Sequence, residues 1–175
     1  VAQLPAISVN DDSSQKLPLT VGYFKDLCSR FMSEKSAKLA EKLTLEPPVE
    51  PVSTGSVFLD EWYEKERCLR LALAQIRALK MKKDIKDLPS ASDGESIQAA
   101  RTATGMDSPL AAEQYLNQYR LGILDRISPL DNFSVDAVYS YGLKLMLAER
   151  MKKFNKDEGL ASYHKIYDEI LGEKK

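Results

Sequence analysis

The side chains best suited to chemistry in this 175-residue chain are its single histidine, His164, and its two cysteines, Cys28 and Cys68. General acid–base catalysis usually employs histidine, and nucleophilic catalysis needs a serine or cysteine within hydrogen-bond reach of a base. The cysteines have neither C-x-x-C spacing nor a nearby histidine, which argues against a metal site or a redox dithiol. We interpret His164 as a surface or half-buried structural residue and the cysteines as buried or half-buried reduced thiols, as in a cytosolic protein.

Loops that would hold phosphates or hard cations are also missing from the sequence. It contains no G-x-x-x-x-G-K-[ST] motif and no G-x-G-x-x-G motif. The acidic pairs Asp11/Asp12 and Asp60/Glu61 lack the spaced oxygen ligands and the glycine of an EF-hand loop. The sequence therefore predicts no catalytic residue, no cofactor and no metal site, and a protein that is not an enzyme.

The amino-acid composition limits the classes of protein to which this chain can belong. Apolar residues make up 43% and charged residues 29%, which is typical of a globular chain. The chain has 25 Lys and Arg residues and 26 Asp and Glu residues, so no overall charge favours the binding of nucleic acid. The longest apolar runs are far shorter than the ~20 residues that cross a bilayer, so we predict no membrane-spanning segment.

Apolar spacing and capping residues predict an all-α fold. A short extended N-terminal segment, broken by Pro5, should precede helices that begin after Thr20, Ser33 and Ser108 and at Ser134. We also expect a long helix over 56–84, a short helix over 96–105 and a last helix from Asn155 or Asp157. Almost no stretch alternates with a period of two, which excludes a central sheet. We expect an irregular bundle of antiparallel helices.

The clearest break in the helical pattern is the connection "EPPVEPVSTG" over 46–55, with three prolines and a glycine. Two interpretations of the domain organisation stay open. Residues 1–175 form a single helical domain, or they form two lobes, 1–45 and 56–175, joined by this connection.

Charged residues and one tryptophan are the candidates for binding a partner. Trp62 is either an interface anchor or a core residue at the foot of the long helix. The other candidates lie on the long helix and on the helix that follows Ser134: Arg67, Arg70, Arg77, Lys144, Glu149, Arg150, Lys152 and Lys153. A solvated helix face and the favourable placing of cations at helix C-termini explain the same residues without a partner.

Two stretches carry a resemblance to known proteins. The opening, with its elements Val1–Pro5 and Lys16–Thr20, resembles the start of a small uncharacterised bacterial family encoded among V-type ATPase subunits. The second stretch is similar to a recurring C-terminal motif of that family and, more weakly, to the all-helical C subunit of prokaryotic V-type ATPases, the counterpart of eukaryotic subunit d. Its matching positions are Tyr141, Leu143, Lys144, Leu145, Glu149, Arg150, Phe154 and Gly159.

The resemblance implies a non-catalytic subunit, or an accessory or assembly factor, of a prokaryotic V-type rotary ATPase. Such a protein would bind other ATPase subunits at the cytoplasmic side of the membrane sector or at the central stalk, and would lie in the cytoplasm against the inner face of the cell membrane. The alternative is a helical scaffold or adaptor that is unconnected to the ATPase. In that case the motifs are only sequence patterns that are common in helices.

Overall fold

The computed structural model describes residues 4–7, 17–83, 89, 91–152 and 156–172. These residues form seven α-helices and no β-strand, which confirms the all-α prediction. The helices are α1 Val21–Phe31, α2 Glu34–Glu41, α3 Val57–Lys80, α4 Gly94–Thr104, α5 Pro109–Ile127, α6 Val135–Lys152 and α7 Lys156–Gly172. Of the predicted extended segment at the N-terminus, the described part (4–7) contains no helix.

The helix starts follow from capping chemistry. Thr20, Ser33, Ser56 and Ser108 each accept a hydrogen bond on the side-chain oxygen from the backbone N–H three residues on, which satisfies a donor that the first turn leaves unpaired. At α4 the same function falls to the carboxylate of Asp93. The predicted starts of α1, α2 and α5 are thereby confirmed.

The long helix ends before the residue that the sequence predicted. α3 stops at Lys80 rather than Asp84. Lys82 has a positive φ of 55°, the N–H of Lys82 donates to the carbonyl of Leu79, and that of Lys83 donates to the carbonyl of Ala78. This is a Schellman motif, and its two bonds satisfy carbonyls at the end of the helix.

Two hydrophobic clusters form the core. The larger one joins α1 and α2 to α6, to the first half of α3 and to the end of α5, around Phe24, Trp62 and Tyr139. The smaller cluster joins the second half of α3 to α4 and the first half of α5, and is rich in alanine; its members are Leu69, Ala72, Leu73, Ala99, Ala100, Ala103 and Leu116. The α1–α2 hairpin thus buries its apolar side against the helices that follow the proline-rich connection.

Trp62 and the cysteines occupy the core. Trp62 is 0% exposed, which confirms the core interpretation, and its indole N–H has no acceptor among the described residues. Cys28 and Cys68 are buried free thiols, as predicted. Burial raises the pKa of the Cys28 thiol.

The helix α6 lies at the centre of the larger cluster and contacts α1, α2, α3 and α5. Gly142 allows the close approach of α1, because a Cβ atom at this position would lie 2.5 Å from Cε1 of Phe24. In contrast, α7 contacts none of the other described helices, and every side chain described for it is exposed. Within the described residues, no helix combines the length and the apolar character needed to cross a membrane.

Candidate functional site

A buried network of charged side chains joins α3 to α5. The carboxylate of Glu66, 1% exposed, accepts two hydrogen bonds from the guanidinium of Arg120, at 2.9 Å from Nε and 3.0 Å from Nη2. Nε of Arg70 donates to the same carboxylate at 2.8 Å. Arg120 is 4% exposed and also donates to the side-chain oxygen of Asn117. The Glu66 carboxylate is buried and paired with two guanidinium groups, an arrangement that fixes the position of α3 against α5.

Two of the predicted partner-binding arginines hold the chain just after α2. Nη2 of Arg70 donates to the carbonyl of Leu45 at 3.1 Å, and Nη1 of Arg67 donates to the carbonyl of Pro48 at 3.3 Å. The side chain of Arg67 is only 15% exposed. These two residues therefore do not form the solvated stripe that their spacing suggested, whereas Arg77 is exposed.

The predicted candidates on α6 also make contacts within the chain. Lys144 pairs with Asp125 at 2.6 Å. Glu149 accepts a hydrogen bond from the backbone N–H of Val21 at 2.7 Å, which ties α6 to the start of α1, and Arg150 pairs with Glu113 of α5. Lys152 is half-buried, and Lys153 lies outside the described residues.

A half-buried polar group fixes the start of α4. The carboxylate of Asp93 accepts hydrogen bonds from the backbone N–H and the hydroxyl of Ser96 and from Nζ of Lys65 on α3, the last at 3.0 Å. Burial alone would raise the pKa of Asp93, but the hydrogen bonds from Ser96 and Lys65 outweigh it, and the pKa is lowered. The hydrogen bond to Asp93 raises the pKa of Lys65. No local sequence pattern predicts the pairing of Lys65 with Asp93, because the two residues are 28 positions apart.

The surface clefts offer no convergent reactive groups in the described parts of the chain. A groove of about 530 Å³ between α1 and α2 is lined by charged residues that include Lys25, Lys38 and Glu34. Lys25 donates to the backbone carbonyl of Glu41 and Lys38 pairs with the carboxylate of Glu34, so both lysines have acceptors within the chain. No group of three His, Cys, Asp or Glu side chains in the described residues is placed to hold a metal ion.

A first exposed apolar surface lies where α3 and α6 begin. Leu130 is 100% and Phe133 86% exposed in the turn between α5 and α6. The hydroxyl of Ser56 donates to the carboxylate of Asp136 at 2.7 Å, which brings the starts of α3 and α6 together. Val57 and Val135, the neighbours of these two residues, are also exposed. We call Val57, Leu130, Phe133 and Val135 the turn surface.

A second exposed apolar surface runs along α7. Six large apolar side chains between 49% and 60% exposed lie on it, namely Leu160, Tyr163, Ile166, Tyr167, Ile170 and Leu171. We call them the α7 stripe. Their spacing of three and four residues is visible in the sequence, but only the structure shows that no described helix covers them. The side chain of His164 is exposed on the same helix, which agrees with its predicted surface position.

Comparison with known proteins finds a similarity to one family over part of the chain and indicates no activity. Residues 94–174 match the family model described as a protein of unknown function, DUF2764. The match begins at α4 and takes in α5, α6 and α7, and it covers 81 of the 175 residues. No curated protein and no solved structure matches the chain. From α4 to α7, this protein is thus similar to a family whose function is not known.

Proposed function

We propose that this protein is a non-catalytic subunit, or an accessory or assembly factor, of a prokaryotic V-type ATPase. It binds at the cytoplasmic side of the membrane sector or at the central stalk, and so lies against the inner face of the cell membrane. The choice of partner rests on the resemblance of Val1–Pro5, Lys16–Thr20 and the motif from Tyr141 to Gly159 to a family encoded among ATPase subunits.

The observation that carries the proposal of an interaction protein is the exposure of large apolar side chains on the turn surface. A fully exposed leucine beside a phenylalanine that is 86% exposed leaves apolar area in water that a partner could cover. Aromatic side chains concentrate binding energy at interfaces. Most of the charged candidates instead pair within the chain, so we assign the ATPase contact to the turn surface.

Recovery of the ATPase with the tagged chain from its native organism tests both the partner and the surface. Membranes are solubilised with mild detergent at moderate salt, and ATPase subunits that co-purify are quantified by mass spectrometry. We expect recovery with the unaltered chain and at least a tenfold loss with Phe133→Asp. Asn132→Asp is the matched control, because it adds the same charge at an exposed position of the same turn and should retain the ATPase.

Two outcomes would contradict the proposal. Consistent absence of ATPase subunits from the unaltered chain would reject the partner and favour a helical scaffold unconnected to the ATPase. Equal recovery with Phe133→Asp and Asn132→Asp would place the contact elsewhere on the protein.

A further inference from the structure

The α7 stripe is an apolar face that no other described helix covers. We propose that α7 pairs with α7 of a second copy, in antiparallel orientation, to make a two-fold symmetric dimer. This inference does not depend on the ATPase, since it concerns only the purified protein.

The spacing of the stripe fits a helix pair. Leu160, Tyr163, Tyr167 and Ile170 are separated by three, four and three residues, which is the seam of a two-helix interface. When two copies align antiparallel about Lys165, Leu160 meets Ile170 of the other copy and Tyr163 meets its Tyr167. The four layers are then the same read from either end, so one surface is complementary to itself, as a two-fold interface requires.

The area available is sufficient for a specific dimer. If a large side chain buries about 200 Å², six side chains exposed by about half present roughly 600 Å² per copy. Covering both copies removes about 1,200 Å² from water, which is the lower end of the range for specific interfaces. Ile166 and Leu171, which are included in this area, flank the four central layers of the seam. The tyrosines suit such a surface, since their rings can be buried while the hydroxyls reach water at the edge.

Charge favours the antiparallel orientation over the parallel one. The acidic residues of α7 form two pairs, Asp157/Glu158 near its start and Asp168/Glu169 near its end. A parallel pair would place every acidic residue of one copy at the same level as the identical residue of the other. An antiparallel pair sets Asp168 and Glu169 level with the uncharged Ser162 and Ala161 of the other copy, and it also opposes the two helix dipoles favourably.

Measurement of molar mass by light scattering after size exclusion tests the pairing on the full chain. We expect a dimer for the unaltered protein and a monomer for Ile170→Asp, with a rise of at least tenfold in the dimer dissociation constant. Lys165→Asp is the matched control, because it adds an aspartate on the opposite face of α7 and should remain dimeric. Far-UV circular dichroism checks that the body of the protein, which we define as helices α1 to α6, stays folded. We expect this because α7 contacts none of the other described helices.

Cysteine crosslinking with a short bismaleimide tests the orientation. Leu160→Cys mixed with Ile170→Cys should crosslink, while each variant alone should not; the native Cys28 and Cys68 are buried. Crosslinking of each variant alone would overturn the antiparallel arrangement. A monomeric unaltered protein would overturn the proposal of a dimer. If Ile170→Asp then also lost the ATPase in the native pull-down, α7 would bind a different partner. A dimer that persists with Ile170→Asp would place the interface away from α7.

Discussion

The helices α6 and α7 follow one another in the chain and are almost equal in length, at 18 and 17 residues, yet their surroundings are opposite. In α6 the side chains of Leu143, Leu145 and Leu147 are all 0% exposed, because α1, α2, α3 and α5 surround the helix. In α7 the large apolar side chains are 49% to 60% exposed to solvent. The comparison shows that an apolar pattern indicates which face needs cover, whereas the position of neighbouring elements decides whether the same chain supplies it.

The largest expected effect comes from breaking the buried ion pair that holds the body. Arg120→Ala leaves Glu66 buried with Arg70 as its remaining guanidinium partner, and should lower the free energy of unfolding by about 3–5 kcal/mol. Urea unfolding followed by circular dichroism measures this loss. Lys165→Ala on α7 is the control and should leave the midpoint nearly unchanged; equal effects of the two variants would contradict the structural role of the network.

A leucine from each helix sharpens the comparison directly. Leu145→Ala in α6 should cost about 2–5 kcal/mol, because it removes apolar contacts and leaves a cavity in the core. Leu160→Ala in α7, measured at a concentration at which the chain is monomeric, should change stability by less than about 0.5 kcal/mol. A comparable loss from both variants would mean that α7 packs on the body in solution.

A glycine in α6 and a glycine in α7 have opposite requirements. Gly142→Ala in α6 forces a Cβ atom against the ring of Phe24 and should cost about 1–3 kcal/mol. Nothing lies within 4 Å of a Cβ atom added at Gly159 of α7, so Gly159→Ala should raise the helix content and stabilise α7 by up to about 1 kcal/mol. Thermal unfolding followed at 222 nm gives both values, and a stabilising Gly142→Ala would show that α1 can move away from α6.

The smallest expected effect is a pH dependence of the body that α7 does not share. The pKa of Asp93 is lowered, so its carboxylate stabilises the fold above its unfolded pKa of about 3.9, and this contribution is lost as the pH falls through the folded-state pKa. The pKa of Lys65 is raised, so its contribution is present below its unfolded pKa of about 10.4 and is lost as the pH rises through the folded-state pKa.

Thermal unfolding midpoints between pH 2 and pH 7 measure the acid side of this dependence. Asp93→Asn keeps a side-chain oxygen that can cap α4 but removes the charge, so its midpoint should fall less steeply below about pH 4 than that of the unaltered protein. Asp168→Asn on α7 is the control and should follow the unaltered protein. Identical slopes for all three proteins would exclude a contribution from the Asp93 carboxylate.

Local signals in the sequence predicted most of the secondary structure. Thr20, Ser33 and Ser108 cap helices where the sequence placed them, since a short polar side chain satisfies the same unpaired N–H groups in any fold. The end of α3 was wrong by four residues, because Lys82 adopts a left-handed conformation that the sequence pattern assigns to glycine or asparagine.

The candidate site was much harder to predict. Arg67, Arg70, Glu149 and Arg150 are polar residues on helices, and their type alone agrees with either a partner or a solvated face. Each of them also makes a hydrogen bond to a residue 19 to 128 positions away in the sequence, and no local pattern could reveal these long-range contacts. The apolar spacing of the α7 stripe was visible in the sequence, but its exposure could not be predicted from the sequence.

The sequence by itself determined that the chain is helical and where most helices begin, because capping and apolar spacing act between residues only three or four positions apart. Only the tertiary structure decided that Leu143, Leu145 and Leu147 of α6 are all buried, that Glu66 receives two arginines and that α7 is left uncovered. Burial depends on which elements meet in space, and those contacts join residues that are far apart along the chain.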